Sequence, residues 1–124
     1  VDDRRLALAK ALRELADGSS EAVLRSALSR SYYSIYHAAK VLDRKIDHHN
    51  INSELEKVEK GLGEKASAVK ELRQGADYNP RFIELEYGGN VELFKQKARD
   101  SVNEGLKVFE RIIREIEERS RSGN

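Results

Sequence analysis

Apolar residues recur at spacings of three and four along most of this 124-residue chain, and a single proline, Pro80, interrupts them. A rhythm near 3.6 residues lines one face of a helix. A half-buried strand would alternate every second residue, so the pattern predicts helices joined by short turns. The expected fold is all-α: an up-and-down bundle of about five helices, with a long central second helix and a long C-terminal one. The first helix is expected from about Asp3 to Ala16, stopped by Asp17-Gly18. Ser19 or Ser20 would cap the second, Glu21 to Arg44. Ser53 and Glu56 read as a capping box behind Ile51, opening a short helix that Gly61-Leu62-Gly63 interrupts. A further helix is expected from about Glu64 to Gln74-Gly75, followed by an irregular stretch from Ala76 to Asn90 with a turn near Phe82 to Leu85. Asn90 would cap the last helix, which carries Phe94, Ala98, Val102, Gly105, Phe109, Ile112 and Ile116 on one face and runs to about Arg119. Residues 1–119 read as one domain and 120–124 as a frayed tail.

Composition narrows the chemistry. The chain has no cysteine, which removes disulfides, thiolate metal sites and a cysteine nucleophile, and suits a reducing compartment. No run of about eighteen apolar residues is present, and Val-Asp-Asp-Arg-Arg at the start is not an apolar secretory segment. The expectation is a cytoplasmic protein with no membrane partner. Basic and acidic residues number 23 and 22, for a net charge of +1, so any contact with nucleic acid must come from local patterning.

The central helix carries that patterning. One stripe, Leu24, Leu28, Ile35, Ala39 and Leu42, reads as core. Another strip holds Val23, Ala27, Arg30, Ser34, His37 and Val41, small or apolar residues interrupted only by an arginine and a histidine. Lys and Glu would be expected on a solvated strip. Small residues let a second helix approach closely, so Val23, Ala27, Ser34 and Val41 are expected at an interface with another helix of the chain or a two-fold partner. Arg30 and His37 are seven residues apart, two helical turns, so guanidinium and imidazole project from one edge. Without a metal, such a pair can process a phosphodiester: the imidazole moves a proton and the cation steadies charge building on phosphorus. A chance surface pair is the plain alternative in a chain with this many basic residues.

Other candidates weigh less. Tyr32, Tyr33 and Tyr36 suit base stacking, although aromatics at helical spacing are more often core or interface. Arg44-Lys45 lies one to two turns beyond His37, within reach of a phosphate backbone. Tyr33, Ser34, Arg44 and Lys45 are therefore the expected RNA or nucleotide contacts. Asp47-His48-His49 has ligand-type side chains, but neighbouring histidines in a turn do not converge easily on one ion, so no metal and no cofactor is expected.

Two blocks in order, Leu28-Ser-Arg-Ser-Tyr-Tyr-Ser-Ile-Tyr-His-Ala-Ala-Lys40 and Glu71-Leu-Arg-Gln-Gly-Ala-Asp-Tyr-Asn-Pro80, with a long helix after them, resemble the HEPN superfamily of nucleotide-binding helical domains and its small stand-alone prokaryotic members. The first block holds the family's Arg-to-His signature in its six-residue form, as Arg30 and His37. The resemblance implies a bundle that dimerises through the signature helices and forms a composite cleft. It also implies, for active members, metal-independent endoribonuclease activity, often as the toxin of a toxin–antitoxin pair with a nucleotidyltransferase-type partner. Carried over, it assigns Arg30 and His37 as catalytic, with Ser31 a modest fit to the polar residue that follows the arginine. One branch of the family has a tyrosine two positions after the histidine, where this chain has Ala39. The competing expectation is a non-catalytic helical dimer or adaptor that binds a nucleotidyltransferase-like partner or a nucleotide.

Overall fold

The structure, a computed structural model, describes residues 9–10, 21–79 and 81–123, with the side chains of 77 and 78 excepted. The helix expected over Asp3 to Ala16 lies outside the described residues save for Ala9 and Lys10, which are helical and exposed. The expected stop at 17–18, the cap at 19–20 and Pro80 also lie outside them. The rest is all-α, with no strand among the described residues: α1 (Glu21–Leu42), α2 (Ile51–Val58), α3 (Leu62–Tyr78), α4 (Phe82–Tyr87) and α5 (Val91–Arg121). None of these helices is long and apolar enough to cross a membrane.

The core fixes their directions. At one end, Leu24, Ala27 and Leu28 of α1 pack with Ala76 near the end of α3 and with Phe94, Ala98 and Val102 at the start of α5. At the other end, Ile35, Ala38 and Ala39 meet Leu62, Ala66 and Val69 from the start of α3 and Val108, Phe109, Ile112 and Ile113 from later in α5. Hence α3 runs antiparallel to both α1 and α5, which are parallel to each other. Between the two apolar clusters α1 and α5 approach closely at Ser31 and Gly105: a Cβ added to Gly105 would lie 2.1 Å from Ser31 Oγ. Beside the Ser31 hydroxyl a glycine fits, and a larger side chain would force the helices apart or displace that hydroxyl.

Local chemistry explains where boundaries differ from expectation. Asn90 caps α5 as expected, its side chain accepting from the Leu93 N–H at 3.0 Å. The helix continues through Arg121, two residues past the expected end near Arg119. The Ser53–Glu56 capping box does not form. Ser53 lies inside α2 and donates to the Asn50 carbonyl. Glu56 reaches forward instead, accepting from the Gly61 and Glu64 N–H groups at 3.0 and 3.1 Å and so binding the opening of α3 to α2. Those amide dipoles hold its carboxyl below the usual range. Gly75 does not end α3, which runs on to Tyr78; its missing side chain makes room for the Phe82 ring, 2.2 Å from where a Cβ would stand. The expected irregular stretch is thus mostly helical, with α4 closed by Gly88 at φ 59°.

Candidate functional site

On α1 the buried residues are Leu24, Ala27, Leu28, Ser31, Tyr32, Ser34, Ile35, Ala38 and Ala39, which at about 100° per residue span nearly half of the helix circumference. The expected small-residue strip is split by this arc. Ala27 and Ser34 are 0% exposed within the protein's own fold, so neither is a surface contact for a partner or for RNA. Ser34 turns its hydroxyl back onto the Arg30 carbonyl at 2.8 Å, the habit of a serine inside a helix. Their small volume serves intrachain packing. Val23 is half-buried and Val41 is 43% exposed, leaving Val41 the one clearly exposed member of the four expected interface positions.

Arg30 and His37 lie just outside the buried arc, about 20° apart in azimuth and on the order of 10 Å apart along the axis. His37 is exposed and Arg30 half-buried. The imidazole has aromatic neighbours on both inner sides: Tyr33 one turn earlier, with ring centroids 6.2 Å apart, and Tyr36 at 5.7 Å, edge-on. Arg44 and Lys45 are exposed in the turn that follows α1, at the same end of the helix as His37. That turn is held by Lys40, whose ammonium donates to the Ile46 carbonyl at 2.8 Å, and by Asp43, which accepts from the Lys45 N–H.

Two residues absent from the expected site complete it. His48 returns to α1 through a tight turn in which Asp47 accepts from the His49 and Asn50 N–H groups while Asn50 accepts from the Asp47 N–H. The same amides hold the Asp47 carboxyl below its ordinary value. The His48 ring lies flat on Tyr36, centroids 4.0 Å apart and planes 7° from parallel, and its Nδ1 is 2.6 Å from the Tyr32 hydroxyl. Tyr32 is 1% exposed, and its phenol is pushed up to about 12, chiefly by burial. It keeps its proton and has no other hydrogen-bond partner among the described residues, which assigns His48 Nδ1 as its acceptor. Burial, then the charges of Lys70 and Arg73, push the His48 imidazole toward its neutral form. Neutral His48 with Nδ1 accepting carries its proton on Nε2.

Arg73 of α3 is the other addition. Only 9% exposed, it lies over the Tyr33 ring at 4.9 Å and the Tyr32 ring at 5.8 Å, and donates to the Tyr33 hydroxyl at 3.1 Å. Desolvated guanidinium–ring contacts of this kind are worth about 2 kcal/mol. Tyr33 is therefore fixed in place by α3 while its ring faces His37. The tyrosines carried a signal for these partners: buried and half-buried phenols on a helix require groups for their hydroxyls, and a His-His turn and an arginine are donors and acceptors of the right kind.

The chain matches no family model, and no curated protein and no solved structure is significantly similar to it.

Proposed function

We propose that this protein is a metal-independent endoribonuclease of the HEPN type, acting through Arg30 and His37. The observation that carries the reading is the exposed His37 imidazole on the helix edge that bears Arg30, flanked by the rings of Tyr33 and Tyr36. In this reading neutral His37 withdraws the proton of a ribose 2′-hydroxyl, and the oxygen attacks the adjacent phosphorus. The 5′-oxygen leaves with a proton, giving a 2′,3′-cyclic phosphate and a 5′-hydroxyl. Arg30 stabilises the crowded phosphorane, and Tyr33, anchored by Arg73, offers a base-stacking face next to the imidazole. Arg44 and Lys45 supply charge for the strand leaving that end of α1.

The acid that protonates the leaving oxygen is assigned to His37 of a second copy. Such a dimer rests on Val41 and the outer flank of His37, since Ala27 and Ser34 are buried within the protomer. On the same reading the protein is the toxin of a toxin–antitoxin pair, restrained by a nucleotidyltransferase-type partner in the cytoplasm. The test is pure protein with structured RNA in excess EDTA. His37→Ala should lower cleavage by about 10²–10⁴-fold and Arg30→Ala by about 10²–10³-fold, while DNA of the same sequence survives. Because His37 is exposed, its alanine variant should keep the wild-type unfolding free energy in urea to within about 0.5 kcal/mol. Cleavage that persists at the same rate in both variants would reject the assignment.

A further inference from the structure

Across Tyr33 from the His37 edge lies a pocket of about 290 Å³ between the aromatic side of α1, the turn after it and α3. Its polar lining is dominated by hydrogen-bond donors. Lys70 brings an ammonium that also donates to the His48 carbonyl at 2.7 Å, which pins it over the turn. Arg73 presents a guanidinium held rigid by two tyrosine rings. His48, with Nδ1 occupied by Tyr32, offers an Nε2–H, and Gln74 offers an amide. No carboxylate lines the pocket among the described residues; the nearby Asp47 has its carboxylate turned onto backbone N–H groups of its own loop. The pocket therefore combines two fixed positive charges with neutral donors, on walls formed partly by aromatic rings. Charge-assisted bonds from such donors to an oxyanion are among the stronger contacts a protein makes.

We propose that Lys70, Arg73 and His48 form a binding site for a phosphate monoester dianion, separate from the Arg30–His37 edge. The pocket lies near the lower limit for small-ligand sites, large enough for a phosphate with part of the group esterified to it. Tyr33 is common to both sites, with its ring beside His37 and its hydroxyl on Arg73, so an anion in the pocket lies one side chain away from the proposed scissile phosphate. The site does not depend on RNA cleavage and is testable without it.

The test is calorimetric titration of the full chain with inorganic phosphate, adenosine 5′-monophosphate and adenosine. Phosphate and the monophosphate should bind and adenosine should not, with the monophosphate equal to or tighter than phosphate. Lys70→Gln should weaken both by tenfold or more, and so should Gln74→Glu, which adds a carboxylate at an exposed position and leaves the packing intact. His37→Ala should bind phosphate as the wild type does, whatever it does to RNA. In nitrogen-15 spectra of the histidine rings, phosphate should shift His48 more than His37. Unchanged phosphate affinity in both Lys70→Gln and Gln74→Glu would overturn the proposal, as would loss of phosphate binding in His37→Ala or adenosine binding as tight as that of its monophosphate.

Discussion

The small residues of α1 and two of its three tyrosines exchange the roles their sizes suggest. Ala27, Ser31 and Ser34 are compact enough to invite a second molecule, yet all three are 0% exposed and are used by the protein's own packing. Tyr33 and Tyr36 are bulky enough for a core, yet they stand half-buried beside an exposed imidazole. The difference follows from what each residue type must satisfy. A small side chain lets helices meet closely, whereas a tyrosine buries its ring and needs a partner for its hydroxyl. The hydroxyl partners, His48 for the buried Tyr32 and Arg73 for Tyr33, are polar, so the aromatic side became the one where charge collects. On this helix the open chemistry lies with the tyrosines.

The strongest way to break this contrast is to place one charge on each side. Ser34→Glu buries an unpaired carboxylate among packed helices and should cost on the order of 3–5 kcal/mol, a large part of the stability of a domain this size. Val41→Glu, seven residues later on the same strip but 43% exposed, should cost less than about 0.5 kcal/mol in the protomer. Urea denaturation of the two variants measures the difference. Comparable destabilisation would mean that the strip is uniformly buried or uniformly open, and the split described for α1 would be wrong.

Much of the architecture was legible because it depends on local rules. The apolar face of α5 and the Asn90 cap are properties of a few neighbouring residues, and both are found where the spacing puts them. The failures share a different cause. Gly75 reads as a stop, and Ser53 with Glu56 as a cap, because each fits a local pattern that a distant partner overrides: Phe82 needs the space beside Gly75, and the N–H groups of Gly61 and Glu64 claim Glu56. For the candidate site, the shared edge of Arg30 and His37 follows from helical period alone. The burial of Ala27 and Ser34 depends on how helices pack around α1, which a single-helix projection cannot supply. The approach of His48 and Arg73 to the tyrosines depends on a turn and on a third helix, 16 and 40 residues away in sequence.

A smaller effect sharpens the packed side. At Ser31 and Gly105 the helices approach so closely that Gly105→Ala should drive its methyl onto the Ser31 hydroxyl, with a clash of about 1–3 kcal/mol only partly offset by the roughly 1 kcal/mol that alanine gains over glycine inside a helix. Ser31 Oγ is buried with no hydrogen-bond partner among the described residues, so Ser31→Ala should be nearly neutral or stabilising. The double variant leaves Ser31 Cβ at 3.5 Å from the new methyl, an ordinary contact, and should recover at least wild-type stability. A double-mutant cycle therefore predicts a coupling of about 1–2 kcal/mol. Strict additivity would show that the two helices do not meet there.

The mildest substitution probes the aromatic side. Tyr32→Phe keeps the ring in the core and removes only the hydroxyl that faces His48 Nδ1, so it should cost about 0.5–1.5 kcal/mol near neutral pH. Its pH dependence is more telling than its size. Burial raises the Tyr32 phenol from 10 to about 12, so the folded protein holds that proton more tightly than the unfolded chain does. The resulting stability is fully present below pH 10 and is lost as pH rises through about 12. Tyr87, raised by burial and by the Glu86 charge, adds a loss of the same sign and is untouched by the substitution. Urea midpoints between pH 8 and 11.5 should therefore fall less steeply in Tyr32→Phe than in the wild type, with the two curves converging at the alkaline end. On the acid side His48, held neutral first by burial and then by Lys70 and Arg73, contributes stability above about pH 6.5 that is lost as pH falls through its lowered value. Parallel alkaline curves would place the Tyr32 hydroxyl in water, and the aromatic side of α1 would then lack the buried anchor that holds His48 against it.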